Sequence, residues 1–64
     1  MKLKAYLAKN EISERVFGER IGTSQASVNR YCNGRVPEPE TMRKIIEVTG
    51  GEVTANDFYA QEAA

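Results

Sequence analysis

Apolar side chains recur at helical spacing along most of the chain, and they nowhere alternate over a strand's length. Leu3, Tyr6 and Leu7 stripe one face of a helix over residues 2–9, with Lys2, Lys4 and Lys9 elsewhere on its surface. Asn10 is expected to end it in a left-handed conformation. Ser13 caps a second helix, about Glu14 to Ile21, on which Phe17 and Ile21 share a face. Ile12 precedes that cap and Phe17 is the fourth helical residue, so the two can close as a hydrophobic staple. Gly22 supplies a positive-φ stop, and Ser24 caps a third helix from Gln25 to about Asn33. Val28, Tyr31 and Cys32 form its packing stripe.

The connector Arg35-Val36-Pro37-Glu38-Pro39 reads as extended, because each proline disfavours helix before it. Pro39 suits the first turn of a fourth helix, with Glu38 and Glu40 at its positive end. Met42, Ile45, Ile46 and Thr49 stripe that helix, and Gly50-Gly51 stops it. Thr54 and Asp57 have the spacing of a capping box for a short fifth helix. Val53 and Phe58 repeat the staple of Ile12 and Phe17. The tail AQEAA has little to bury and is expected to fray. The pattern predicts an all-α fold, a compact bundle of about five short helices forming one domain over residues 1–64.

The unburied side of the third helix changes the picture. Gln25, Ala26, Asn29, Arg30 and Asn33 fall on a face with amides and a single charge, where a solvated helix would show Glu and Lys. Gln or Asn can pair bidentately with adenine, Arg with guanine, and Ala can touch a thymine methyl. Gly18 sits inside the second helix, at a cost of about 1 kcal/mol relative to alanine. Close approach of the third helix at that point offsets such a cost. Together these features make a helix-turn-helix pattern over residues 13–34, with 25–33 as its reading helix.

The segments Phe17-Gly18, Ile21-Gly22-Thr23-Ser24-Gln25, Val28-Asn29-Arg30-Tyr31 and Asn33-Gly34 resemble the helix-turn-helix of the Cro and lambda-repressor-like family of phage and bacterial regulators. The resemblance implies that the third helix enters the major groove of double-stranded DNA. It implies base contacts from Gln25, Ala26, Asn29 and Arg30. Ser27, Asn33 and Arg35 would meet phosphates, joined by Thr23, Ser24 and the backbone amides at the helix start. Rival roles exist for three of these: Gln25 as a plain exposed residue, Arg30 in an ion pair with a nearby Glu, Arg35 as a solvated loop charge. Glu14 departs from the family, whose members usually carry a phosphate-binding Gln there, so that contact is not carried over.

The formal net charge is zero, but its distribution is uneven. Residues 1–37 hold seven basic and three acidic side chains, whereas residues 38–64 hold two basic and six acidic. The basic half contains the reading helix, which favours approach to DNA. Chemistry of other kinds is excluded by what is missing. There is no His, no Ser or Cys with a plausible base, no paired carboxylate site and no phosphate-binding Gly loop, so an enzyme is not expected. The single Cys32 has no companions for a metal site and reads as a buried or half-buried thiol. No cofactor or small-molecule ligand is expected. The chain shows neither an 18-residue apolar run nor a signal-peptide layout, which predicts a cytoplasmic protein without a membrane span.

The expected function is that of a Cro-like transcription regulator, a repressor in the first instance. One reading helix contacts too few base pairs to define a genomic site, so a homodimer on a two-fold operator is expected. Its contact surface would lie near the end of the third helix or at the C-terminal segment, where Phe58 and Tyr59 are candidates and Phe58 is better placed as core. The segment Thr49-Gly50-Gly51-Glu52-Val53-Thr54 also resembles small Cro-like proteins sometimes classed as antitoxins. A protein-interaction module, antitoxin or adaptor, is therefore the alternative.

Overall fold

A computed structural model describes residues 1–59. The expected fraying of the tail at 60–64 lies outside them. Five helices follow one another: α1 (Leu3–Lys9), α2 (Glu14–Ile21), α3 (Gln25–Cys32), α4 (Pro39–Val48) and α5 (Ala55–Tyr59). No strand occurs among the described residues. The all-α bundle is the fold that the apolar spacing predicts.

One core joins all five helices. Leu3, Tyr6 and Leu7 of α1, Phe17 and Ile21 of α2, Val28 and Tyr31 of α3, Met42 and Ile45 of α4, Val53 and Phe58 are buried together. Tyr6 meets Phe17 edge to face, with ring centroids 6.4 Å apart. Ile12 packs on this cluster from before α2, in the staple position. Thr49 is also buried, and its hydroxyl explains how a polar group is tolerated there. It donates to Ile45 O at 2.8 Å and accepts from Val53 N–H at 3.2 Å, tying the end of α4 to the start of α5.

Four local expectations need correction. Lys2 is the N-cap of α1, which begins at Leu3. The left-handed residue after α1 is Glu11 (φ 53°), not Asn10 (φ −99°). Asn10 instead donates its side-chain amide to Tyr6 O, which closes the helix without a positive φ. The third helix ends at Cys32, and Asn33 is its C-cap. At α5 the capping box is one-sided: Asp57 Oδ2 accepts from both the Thr54 N–H (2.9 Å) and the Thr54 hydroxyl (3.2 Å). The hydroxyl thus donates to the carboxylate and does not cap. That backbone hydrogen bond, with the N-terminal amine beside it, holds the Asp57 carboxyl below its ordinary range.

The α2–α3 corner is set by two glycines. Gly22 adopts φ 75° and ends α2 in the left-handed region, where a side chain would be strained. Gly18 is a matter of space: a β-carbon there would lie 2.7 Å from Thr23 O and 3.3 Å from the Ser24 carbonyl. These are backbone atoms of the turn and of the α3 cap, so they cannot swing aside. Gly18→Ala should therefore lower stability by about 1–2 kcal/mol net, since overpacking outweighs the helix propensity gained. A urea melt checks this; a stabilised variant would show that the corner has room.

Candidate nucleic-acid interface

The outward face of α3 is held by a rigid start and a closed end. Ser24 Oγ accepts from the Ser27 N–H at 3.1 Å, as its capping role requires. The Ser24 hydroxyl donates to Ser27 Oγ at 3.1 Å, which leaves the Ser27 hydrogen free to donate elsewhere. Val28 and Tyr31 anchor the inner face, while Cys32 is half-buried beside them. Gln25, Ala26, Asn29 and Arg30 are all exposed. With Glu14 of α2 they line one open depression. The structure thus brings the four residues expected to face bases onto one surface.

Their partners differ. Among the described residues, the ion pairs are Met1–Asp57 and Lys9–Glu52, so Arg30 is not engaged by a carboxylate. Asn29 is engaged. Its Nδ2 donates to the Glu14 carboxylate at 3.3 and 3.4 Å, and its Oδ1 accepts from Asn33 Nδ2 at 3.2 Å. Asn33 also donates to Asn29 O at 3.0 Å, so its amide serves the end of α3 rather than pointing outward.

A second cleft lies on the other side of Arg30. Ser27, Arg30, Tyr31, Arg35, Val36 and Glu38 line it, where the connector folds back on α3. The fold-back is held by Arg35 N–H donating to Arg30 O at 3.0 Å. Two arginines and two hydroxyl-bearing residues, Ser27 and Tyr31, share this lining, a donor set suited to an anion, with Glu38 moderating the positive field. Thr23 stands half-buried at the turn, its N–H donating to Gly18 O at 2.8 Å.

The family model described as Helix-turn-helix matches residues 3–55, which span α1 through the start of α5. The chain belongs to the Cro and lambda-repressor-like helix-turn-helix family. No curated protein and no solved structure gives a significant match to it. Membership in the Cro and lambda-repressor-like family makes the protein a DNA-binding regulator of helix-turn-helix type, in a family that is generally non-enzymatic. Among the described residues, no helix is long and apolar enough to cross a membrane.

Sequence reasoning did not find the link from Glu14 through Asn29 to Asn33. Glu14 and Asn29 lie on different helices, 15 residues apart, and no periodicity within one helix relates them. Cys32 belongs to the same neighbourhood. Burial, then the negative charge of Glu14, push the thiol up to about 11, against a partial pull down from Lys4. Folding thus favours the protonated thiol. Its contribution to stability is whole below pH 9 and is lost as pH rises through 11. At pH 8 Cys32 should react with a thiol reagent about a hundredfold more slowly than an unhindered cysteine, following its smaller thiolate fraction. Stopped-flow labelling against pH checks this, and a rate equal to that of the unfolded chain would contradict it.

Proposed function

We propose that the protein is a sequence-specific transcription repressor that binds a two-fold operator in double-stranded DNA as a homodimer. In this reading Gln25, Ala26, Asn29 and Arg30 form the base-facing surface of α3. Thr23, Ser24, Ser27, Asn33 and Arg35 flank it towards the phosphates. The observation that carries the reading is the exposed, shared depression of those four side chains on a helix with both ends fixed. Arg30 supports it most directly, since its charge is left unpaired among the described residues at the junction of that depression and the Arg35 cleft. Ser27, whose hydroxyl hydrogen is uncommitted, and Arg35 share one cleft and are the best candidates for phosphates, whereas the Asn33 amide is committed to α3.

A dimer requires a free apolar surface. Phe58 is 2% exposed and belongs to the core, which leaves Tyr59, at 54% exposed, as the C-terminal candidate. The whole chain, residues 1–64, is taken as one DNA-binding domain acting in the cytoplasm.

The test is selection from a random duplex pool at low and near-physiological salt. Enrichment of a palindrome with half-sites about 10 bp apart, retained at the higher salt, is the expected result. Binding without enrichment, lost as salt rises, would reduce the protein to backbone attraction. No binding at either salt, together with a tightly co-purifying protein, would favour the antitoxin or adaptor role.

A further inference from the structure

The carboxamide of Asn29 is already occupied on both sides. Its Nδ2 is directed at Glu14 and its Oδ1 receives Asn33. The two partners fix its orientation, because a carboxylate accepts only and an amide nitrogen donates only. A bidentate pair with adenine uses an N–H and the oxygen of one carboxamide together. Each atom keeps further capacity, a second hydrogen or a second lone pair, so Asn29 could pair with adenine only while sharing both atoms with Glu14 and Asn33.

Glu14 stands in the opposite situation. It is the first residue of α2, half-buried, in the same depression as Gln25, Ala26 and Arg30. The α2 N-terminus favours a negative charge at that position. Among the described residues no cation pairs with it. A carboxylate offers about four lone-pair sites. Asn29 supplies the one side-chain donor that Glu14 receives among the described residues, so acceptor capacity remains.

We propose that Glu14 is a specificity-determining residue that accepts a hydrogen bond from a cytosine amino group, with Asn29, braced by Asn33, as the positioning residue that aims it. This rests on the DNA-reading function proposed above and names the base pair read at one place. In the major groove guanine shows only acceptors, and thymine an acceptor and a methyl group, so both repel or fail to engage a carboxylate. Adenine sets an acceptor beside its amino group. Cytosine alone offers a donor without a competing acceptor. Arg30, in the same depression, supplies the donors that suit the guanine of that pair. Glu14 therefore works as a selective element, at the cost of weaker attraction to DNA in general.

The test compares the base preferences of wild type, Glu14→Gln and Asn29→Ala in parallel selections from a random duplex pool, with folding followed by circular dichroism. Removing a negative charge strengthens binding to any duplex, so the readout is preference at each position and not affinity. Wild type should require cytosine at one position of each half-site. Glu14→Gln should reduce that preference about fivefold or more, or turn it to adenine, while other positions hold. Asn29→Ala should weaken the same position and no other. An unchanged cytosine preference in Glu14→Gln would overturn the assignment and leave the DNA-reading function standing. Loss of an adenine preference in Asn29→Ala alone would overturn it as well, by making Asn29 the reader. A wild type that enriches no sequence would defeat the DNA-reading function itself, and this assignment with it.

Discussion

Phe17→Ala should remove a large share of the protein's stability. Phe17 has no exposed surface and belongs to the common core, with Tyr6 of α1 edge-on to its ring. Truncating a buried phenylalanine costs about 3–5 kcal/mol, the transfer term plus the cavity. A chain of this length has a total stability of roughly 3–10 kcal/mol. The loss therefore takes a large fraction of what holds the bundle together. Backbone relaxation is limited, because Gly18 next in sequence already lies against the turn. Urea denaturation of both proteins measures the difference directly; a loss below about 1 kcal/mol would mean that the core collapses around the gap, contrary to the packing described.

The second large effect falls on DNA and leaves folding intact. Gln25 and Arg30 are exposed and are not part of the core cluster, so Gln25→Ala and Arg30→Ala should melt like wild type. Each should weaken binding to the selected operator by about 1–3 kcal/mol, roughly 5- to 150-fold. Their signatures should differ. Arg30→Ala removes a charge as well as a base contact, so it should flatten the salt dependence and weaken binding to unrelated duplexes too. Gln25→Ala should relax preference at one position and leave the salt slope alone. Equal losses on operator and unrelated DNA for both variants would show that neither side chain reads a base.

Much of the bundle was legible because its determinants are local. Ser13 and Ser24 cap the helices they precede, and Gly22 takes the left-handed conformation that its place after Ile21 demands. The stripes at Leu3-Tyr6-Leu7, Phe17-Ile21 and Val28-Tyr31 all turn inward, since spacing alone decides which side of a helix they occupy. Gly18 was readable for a related reason: a glycine inside a helix needs a packing explanation, and the α3 cap provides it. Asn10 misled because asparagine suits both a left-handed terminus and a side-chain bond to the preceding turn, and the sequence does not choose between them.

The candidate interface was legible in outline but not in its wiring. Exposure of Gln25, Ala26, Asn29 and Arg30 follows from the helix period once Val28 and Tyr31 are buried. The engagement of Asn29 by Glu14 depends on how closely the α2 and α3 axes approach, which no single helix encodes. Glu14 was noticed only as a departure from a family pattern, and its neighbours give that departure a role.

Interference by base methylation tests the central claim most directly. A reagent that methylates guanine N7 in the major groove and adenine N3 in the minor groove distinguishes the two grooves on one operator. With α3 in the major groove, methylation at guanine N7 in each half-site should block wild-type binding, and Arg30→Ala should become indifferent to it. Indifference of the wild type to every N7 methyl group, with binding blocked only from the minor groove, would contradict the account.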